Sequence, residues 1–414
     1  IFGFQMANNS EDKSVTLFRE YLRIRTDHPK PDYATATQFF QKLAQQYGLQ
    51  FEVVEMAPGR PIILMTWEGQ DPTLETILLN SHVDVVPAEL NKWKCDPFAA
   101  TKDAEGNIFA RGTQDMKSVT IQHIEAVGRL KNSGVKLLRT IHLMIVPDEE
   151  TGGKEGMALF VESERFRKLN IGVTLDEGLA SDGEPFVVFY GERASWWVRI
   201  KAVGPTGHGS RFVENPAMEK LIRIVNKLLA FRQEQFDTLQ RGQCECGMKL
   251  GDVTTLNLTV LKGGVTHDGG NTYSYNVVPS EAEAGFDIRI PPTVDLKEFE
   301  KQLEEWTKEE GVSFEFVNKT SVNNPSDISE DSKWWKAFKT ACEKTGAKLD
   351  PQIFPAATDS RFIRNKMIPA FGFSPMNFTP TLLHDHNEFL NEKIFLKGID
   401  IFESVVKDLA NAKF

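Results

Sequence analysis

The first half of the chain alternates between helical and extended patterns of apolar residues. Helical spacing places Phe40 and Leu43 on one face of a predicted helix over residues 33–47, which ends before Gly48. A second helix is predicted over residues 116–130, where apolar residues recur every few positions. Short apolar runs predict strands over 51–54, 62–66, 76–82, 140–146 and 173–175. This order of strands and helices predicts an α/β domain with a mostly parallel sheet flanked by helices.

The pattern changes in the middle of the chain. From there a strand, a helix and a strand are predicted twice in succession, over 195–203, 215–231, 253–261, 276–290, 296–310 and 313–317. Asp295 as a cap and Gly311 after the last turn mark the second of these helices. Two βαβ-like halves predict an α+β module that is inserted into the chain. We therefore expect a discontinuous catalytic domain, residues 1–190 and 319–414, and a lid domain, residues 191–318.

Composition excludes several classes of ligand and environment. The 414 residues favour two domains, and 41% hydrophobic with 26% charged residues is typical of a soluble globular protein. A net charge of −10 without a basic run argues against nucleic acid as the main partner, because phosphate binding needs clustered Lys and Arg. No apolar run reaches the roughly 18–20 residues of a membrane span, and the opening is too short and polar for a secretory signal. We therefore expect a cytoplasmic protein, and the sequence leaves open whether the residues before Met6 are native.

Polar residues follow several of the predicted strands directly or precede the helix over residues 116–130. They are His82, Asp84, Asp115, Glu149, Glu150 and Glu177. In open α/β sheets, the loops beyond the carboxyl ends of the strands converge on the ligand crevice. Several carboxylates placed there would repel one another unless a multivalent cation neutralised them. The pattern therefore predicts a metal site.

The residue types in this set point to a particular kind of metal chemistry. Imidazole and carboxylate ligands without Cys are typical of a catalytic zinc site. Two zinc ions about 3.5–4 Å apart need a bridging carboxylate, and one acid beyond the ligand count is then free as a general base. Without Asp84 and with His384 added, the set contains two imidazoles and four acids, which allows three liganding acids and one further acid. We interpret the set as a two-zinc hydrolase site that cleaves an amide bond.

Each of these residues also has an ordinary structural interpretation. A histidine after a strand is often a hydrogen-bonded structural residue, adjacent glutamates are often a solvated turn, and Asp115 is well placed for a helix cap. Independent surface acids would not all fall at strand ends in one half of the chain, so the joint pattern favours the metal site. Serine hydrolases and dinucleotide-binding folds are disfavoured, because neither Gly-x-Ser-x-Gly nor Gly-x-Gly-x-x-Gly after a first strand is present.

Six motifs occur along the chain in the order SHVD, RGTQDMK, VPDEETGG, LDEG, TGHGS and HDHNE. Together they resemble the aminoacylase branch of the two-zinc metallopeptidases, a family that also includes carboxypeptidase G2 and carnosinase. The resemblance covers nearly the whole chain, since segments such as VTLFREYLRIRT and PAATDSRFIR match as well. Any one motif alone would be weak, whereas the ordered set is specific.

The resemblance implies which residues bind the two metal ions. His82 and Glu177 would bind one zinc ion. Glu150 and His384 would bind the other, and Asp115 would bridge the two. The implied cofactor is therefore two Zn²⁺ ions per subunit.

Three further residues receive roles from the resemblance. Glu149 would be the general base that takes a proton from the attacking water. Asp84 would hydrogen-bond the imidazole of His82 and fix its tautomer. His208, in the lid domain, resembles a family histidine that reaches the active site of a neighbouring subunit and stabilises the oxyanion. That role requires a homodimer formed through the lid domain.

The residues that bind the substrate are less sharply indicated. An N-acyl amino acid carries a free carboxylate, which a guanidinium binds through two parallel hydrogen bonds. Arg289 and Arg361 resemble family positions near the substrate, and Asn276 is a candidate for a lid contact. A structural salt bridge is an equally good interpretation of each arginine. The lid loop over residues 266–274 looks longer than the family norm, which leaves the preferred acyl group and side chain open.

The activity implied by the resemblance is hydrolysis of N-acyl-L-amino acids, chiefly N-acetyl ones, to a carboxylate and a free L-amino acid. A dipeptidase or carboxypeptidase of the same family is the alternative, and it differs in whether the amino group of the substrate is capped. A metal-binding protein that has lost catalysis is a further alternative, although every residue that the chemistry needs is present. The native metal beyond zinc and the physiological pathway stay open.

Overall fold

The structure, a computed structural model, describes residues 11–245 and 247–414, without the side chains of residues 243–245. The segment before Met6, whose origin the sequence leaves open, lies outside the described residues. The helices are α1 (Lys13–Leu22), α2 (Tyr33–Tyr47), α3 (Lys117–Asn132), α4 (Met157–Phe160), α5 (Glu164–Arg167), α6 (Ala217–Glu245), α7 (Leu296–Thr307), α8 (Lys333–Lys344), α9 (Ser360–Arg364) and α10 (Glu392–Ala410). Within this described part, none of the helices has the length and apolar composition needed to cross a membrane.

The strands are distributed along the whole described chain. They are β1 (Gln50–Ala57), β2 (Arg60–Trp67), β3 (Thr76–His82), β4 (Thr101–Lys102), β5 (Asn107–Phe109), β6 (Ile141–Val146), β7 (Ile171–Asp176), β8 (Phe186–Glu192), β9 (Ala194–Val203), β10 (Gly207–His208), β11 (Thr255–Lys262), β12 (Val277–Val278), β13 (Glu281–Ile290), β14 (Val312–Lys319), β15 (Leu349–Phe354), β16 (Ala370–Phe373) and β17 (Phe389–Asn391).

The contacts of the chain divide it into two compact units. The first unit consists of the chain up to Tyr190, Ser326–Pro351 and Thr358–Phe414. The second unit consists of Gly191–Pro325 and Gln352–Ala357. Residues 319–325 and 352–357, which the sequence pattern placed in the catalytic domain, therefore pack in the second unit.

The first unit is built around an eight-stranded sheet in the order β1-β2-β6-β3-β7-β16-β8-β15. The central strands β6, β3, β7 and β16 run parallel to one another. On the two sides of this centre, β2 pairs antiparallel with β6 and β8 pairs antiparallel with β16. Helices α2 and α3 pack on β2 and β3. The α/β class is confirmed, and the sheet is mixed, with parallel pairing among β6, β3, β7 and β16 and antiparallel pairing of β2 and β8 beside them.

Both faces of the central strands are covered, which explains why apolar residues occupy consecutive positions in them. All seven positions of β3 and all six positions of β6 are buried. Alternate residues of β3 enter different cores, since Ile77 and Leu79 lie in the larger core and Leu78 lies in a second one. A strand buried on both faces has a continuous apolar sequence, which is typical of parallel sheets.

The parallel strands β3, β6 and β7 end at the same edge of the sheet. His82, the last residue of β3, is in register with Val146, the last residue of β6. Glu149 and Glu150 follow β6 in a short 3-10 turn, and Glu177 follows β7. The carboxyl ends of the parallel strands therefore bring these polar residues to one edge, as the sequence pattern predicts.

The second unit contains a four-stranded antiparallel sheet in the order β11-β13-β9-β14. Buried and exposed positions alternate along β9, and Trp196 on its buried face shares a core with Leu228 of α6 and Leu303 of α7. The strand predicted over residues 276–290 is two strands, β12 and β13, because Pro279 interrupts it. Strand β12 pairs with β10 instead, in a separate two-stranded ribbon.

Candidate metal centre

Asp115, the bridging residue expected from the sequence, lies between two imidazoles. Its Oδ1 is 2.9 Å from Nε2 of His82, and its Oδ2 is 3.2 Å from Nε2 of His384. Glu177 Oε2 lies 3.3 Å from the same nitrogen of His82. Glu150 Oε2 lies 3.0 Å from the same nitrogen of His384. The five expected ligands therefore form one continuous chain of contacts, with Asp115 at its centre.

Glu149, the expected general base, belongs to the same cluster. A ring nitrogen of His82 and one carboxylate oxygen each from Glu149 and Glu177 lie within 4.8 Å of one another. The same limit holds for a group formed by His82, Asp115 and Glu150. The two groups overlap at His82, which is buried. Segments that are widely separated in the sequence thus meet in one small volume.

These donor atoms fit a pair of divalent metal ions. Imidazole nitrogen and carboxylate oxygen are the ligand atoms of catalytic zinc sites. Asp115 directs one oxygen toward each imidazole, which is the arrangement of a bridging carboxylate. Within the described part of the chain, Glu150 Oε1 is buried without a hydrogen-bond partner, so it offers a further ligand atom.

Burial and mutual repulsion shift the protonation of the clustered carboxyl groups. Burial, and then the charge of Glu177, raise the pKa of Glu149 well above its usual value. Burial, and then the charge of Asp115, raise the pKa of Glu177 in the same way. Burial also opposes the charged form of Asp115, but hydrogen bonds from His384 and His82 lower the pKa of its carboxyl group. A divalent cation relieves such repulsion, so the electrostatics of the cluster favour metal binding.

The carboxylate of Asp84 is buried and holds the turn that contains Glu149 and Glu150. Its Oδ1 accepts the backbone N–H of Glu149 at 3.2 Å, and its Oδ2 accepts that of Glu150 at 3.1 Å. His28 Nε2 donates to the same Oδ2 at 2.8 Å. Two main-chain N–H groups and one imidazole therefore donate to this carboxylate, which anchors the turn that contains the expected base.

The contact between His82 and Asp84 differs from the one expected. Nδ1 of His82 lies 2.9 Å from the backbone carbonyl oxygen of Asp84 and 3.6 Å from its carboxylate. The imidazole therefore donates to the main chain of Asp84, because the carboxylate faces the Glu149–Glu150 turn. Donation from Nδ1 fixes the tautomer that leaves Nε2 free as a ligand atom.

His208 and Asn276 lie next to each other on the ribbon of the second unit. His208 is in register with Val277, and the carbonyl oxygen of Asn276 accepts the N–H of Gly209 at 2.7 Å. The side chain of His208 is exposed, and its Nδ1 lies 2.7 Å from Oγ of Ser210. The catalytic role of His208 and the binding role of Asn276 stay predictions.

The two candidate arginines have different surroundings. Arg289 donates to Asp287 through two hydrogen bonds, of 2.7 and 3.0 Å, which agrees with a structural salt bridge. Arg361 donates to the carbonyl oxygens of Thr358 at 2.7 Å and Gly152 at 2.8 Å. It therefore connects the start of α9 with the loop that follows the expected base, and its role in substrate binding stays a prediction.

Two residues that contact this cluster were not predicted from the sequence. His28 donates to Asp84, and Glu388 accepts hydrogen bonds from the turn that contains Asp115. An isolated histidine before a proline gives no signal of such a role. Glu388 is the last residue of the HDHNE motif, in which the resemblance assigns a role to His384 but not to Glu388.

The sequence matches peptidase family M20/M25/M40 over residues 78–408. It is 60% identical to aminoacylase-1 of Dictyostelium discoideum over 407 residues, which are 98% of this chain and 100% of that relative. It is 50% identical to aminoacylase-1 of Homo sapiens over 403 residues, which are 97% of this chain and 96% of that relative.

Solved structures with a similar fold are more distant in sequence. The metallo-carboxypeptidase Sso-CP2 from Sulfolobus solfataricus superposes with a TM-score of 0.71 at 18% identity, covering 97% of this chain and 100% of that one. The YXEP protein of Bacillus subtilis, a dinuclear metal binding peptidase, superposes with a TM-score of 0.66 at 14% identity, covering 96% of each chain. At these sequence identities, the structural similarity shows that this chain shares the fold of these proteins.

Proposed function

The chain belongs to peptidase family M20/M25/M40, and from this premise we propose that it hydrolyses the amide bond of N-acyl-L-amino acids, chiefly N-acetyl ones. The products are a carboxylate and a free L-amino acid. High identity to aminoacylase-1 over nearly the whole length supports this substrate class. The structural observation that supports the chemistry is the contact of Asp115 with both His82 and His384 through separate oxygens.

Two zinc ions per chain are proposed as the cofactor. His82 and Glu177 would hold one ion, Glu150 and His384 would hold the other, and Asp115 would be shared by both. When bound there, the cations would supply Lewis acidity, which polarises an amide carbonyl and lowers the pKa of water toward about 7.

Glu149 is proposed as the general base and then as the general acid. Its carboxylate takes a proton from the attacking water as the new C–O bond forms, and it gives that proton to the amine as the C–N bond breaks. Asp84 supports this role, because it holds the backbone N–H of Glu149 and so fixes the direction of the side chain.

The transition state and the substrate carboxylate need donors beyond the cluster. His208, contributed by the second subunit of a homodimer formed through the second unit, is proposed to stabilise the oxyanion. Arg289, Arg361 and Asn276 are proposed to bind the substrate. The exposed position of His208 beside Asn276 supports a shared role for the two. The predicted domains, residues 1–190 with 319–414 and residues 191–318, are proposed as the catalytic and the lid domain, with residues 319–325 and 352–357 moved to the lid domain because they pack in the second unit. A cytoplasmic location is proposed as well.

Replacement of Glu149 by Gln tests the proposed base. Gln has nearly the same size but cannot take up a proton, so we expect turnover of N-acetyl-L-methionine to fall by roughly 10²–10⁴-fold. Elemental analysis should find the same zinc content as in the unaltered protein. A Glu149→Gln variant with near-normal turnover would show that another group is the base. Glu155→Gln, an exposed change in the same loop, is the control.

The same assay distinguishes the proposed hydrolysis of N-acyl amino acids from the alternative activity, that of a dipeptidase. N-acetyl-L-methionine and the dipeptide Ala-Met share a leaving amino acid and differ in whether the amino group is free. We expect the acetylated compound to be hydrolysed with the higher kcat/KM. A preference for Ala-Met would replace the proposed activity with that of a dipeptidase.

A further inference from the structure

Two segments that contribute ligands to the same proposed metal ion are joined by buried polar contacts. We call residues 110–115 the aspartate turn and residues 380–389 the histidine loop, after Asp115 and His384. We propose that Glu388, Arg111 and Gln114 form a latch between them, which sets the distance between Asp115 and His384. The latch thereby sets the affinity of the metal ion that these two ligands share. The proposal rests on the proposed two-metal function.

Glu388, in the histidine loop, is the centre of the latch. Its side chain is fully buried. Its Oε1 accepts the backbone N–H of Gln114 at 2.6 Å, and its Oε2 accepts that of Gly112 at 3.2 Å. Nη1 of Arg111 donates to the same Oε2 at 2.8 Å. Because charge-assisted hydrogen bonds are short and strong, this carboxylate fixes the main chain of the aspartate turn next to Asp115.

Arg111 extends the latch to the main chain at His384. Its Nη1 donates to the carbonyl oxygen of Asp385 at 3.1 Å, and its Nη2 donates to that of His384 at 3.4 Å. The backbone of His384 has a φ of 62°, a conformation that non-glycine residues adopt only when their surroundings impose it. The side chain of His384 is 49% exposed, and its Nε2 contacts Asp115 and Glu150. The hydrogen bonds of Arg111 to main-chain carbonyl oxygens hold the backbone from which this ring reaches them.

Gln114, the residue before Asp115, contacts the histidine loop at both ends. Its Nε2 donates to the carbonyl oxygens of Pro380 at 3.0 Å and Phe389 at 2.9 Å. Its Oε1 accepts the backbone N–H of Leu382 at 2.9 Å. One side chain thus connects the beginning and the end of the loop to the residue that precedes the bridging ligand.

The latch acts unequally on the two proposed ions. His82 ends strand β3 and Glu177 follows strand β7, so the central sheet holds these two ligands. His384 lies in a loop that the latch holds. Changes to hydrogen-bond partners behind metal ligands typically reduce metal affinity by about 10–100-fold. Loss of the latch should therefore weaken the ion bound by Glu150 and His384 by this factor. The other ion should be weakened less, because Asp115 is the one of its proposed ligands that the latch holds.

The test measures zinc binding to the metal-free full chain with a competing chelator. The latch variants are Glu388→Gln and Gln114→Met. Their matched controls are Glu125→Gln and Gln122→Met in α3, because both residues are buried and hydrogen-bonded but do not contact the histidine loop. We expect two tight ions in the unaltered protein and in both controls. Each latch variant should keep one tight ion and bind the second 10–100-fold more weakly.

The outcomes distinguish the latch from a merely structural role and from a failure of the proposed function. A structural role would lower the melting temperature of the metal-free protein without separating the two affinities. Two tight ions in both latch variants, or equal weakening of both ions, would overturn the proposal. If Glu388→Gln leaves Arg111 unpaired and fails to fold, Gln114→Met decides, since it keeps that ion pair. Fewer than two ions in the unaltered protein would contradict the two-zinc function itself.

Discussion

Asp84 illustrates how one buried residue determines the position of others that are distant in the sequence. It lies two residues after His82, yet its carboxylate bonds the main chain at Glu149 and Glu150. With the donor from His28, three hydrogen bonds satisfy a charge that has no access to water. The main chain of the proposed base and of one proposed ligand is therefore held by a buried carboxylate from a different strand end.

Replacement of Asp84 by Asn should misplace the Glu149–Glu150 turn. The amide offers one acceptor oxygen to two backbone N–H groups, and its NH₂ group faces a donor instead. We expect kcat for N-acetyl-L-methionine to fall by about 10–100-fold at saturating zinc. His28→Gln, which keeps a donor toward Asp84, should have a much smaller effect. Asp84→Asn with unaltered kcat would show that the turn is held by other contacts.

The cluster could be predicted residue by residue, whereas the contacts behind it could not. His82 and Glu177 occupy motifs at strand ends and Asp115 precedes a helix, so their joint pattern indicates a metal site, and the resemblance assigns their roles. Glu388 acts on a turn 274 positions earlier in the chain, and no sequence pattern specifies such a pairing. Main-chain acceptors, such as the carbonyl oxygen of Asp84 that receives His82, leave no trace in the residue type at all.

At the scale of helices and strands, prediction succeeded where local sequence and burial agree. The predicted bounds of α2 are confirmed, because Asp32 caps its start and Gly48 ends it in the left-handed conformation. Helix α6 continues to Glu245, beyond the predicted end at 231, since its later Gln, Glu and Arg residues favour helix without forming an apolar face. The short strand β16 was missed, because four apolar residues do not distinguish a strand from other buried segments.

Helix α3 contains a buried histidine that should make the protein sensitive to acid. Burial lowers the pKa of His123 to about 3, and within the described part of the chain neither ring nitrogen has a hydrogen-bond partner. The unfolded chain takes up this proton below about pH 6.5 but the native state does not, so stability falls as pH decreases from there toward 3. His123→Leu should remove this loss and keep the apolar contact with Phe402.

Urea unfolding at pH 7.5 and pH 5 measures the effect. The free energy of unfolding of the unaltered protein should fall between these values by about 2 kcal/mol more than that of His123→Leu. His142, whose pKa burial lowers to about 4, is present in both proteins and cancels in the comparison. If the free energy of unfolding falls equally in the two proteins between pH 7.5 and pH 5, His123 is protonated in the native state at pH 5.

At the scale of the whole molecule, the proposed ligands lie on both sides of the second unit in the sequence but belong to the first unit. The chain leaves the first unit at Tyr190, after Glu177, and returns before His384. The residues proposed for the oxyanion and the lid, His208 and Asn276, belong to the second unit. The proposed mechanism therefore draws residues from both units, and in the proposed homodimer His208 would come from the other subunit.

Mixed dimers test whether His208 acts on the other subunit's site. In a dimer of one Glu149→Gln chain and one His208→Ala chain, the site with intact Glu149 receives the intact His208 of its partner. Random association of equal amounts makes half of the dimers mixed, each with one complete site, so about a quarter of the full activity should return. Glu149→Gln mixed with Asp115→Asn should regain nothing, because each chain then lacks a group of its own site. Co-expressed variants that show only the summed activity of the separate proteins would place His208 in its own subunit's site or outside the chemistry.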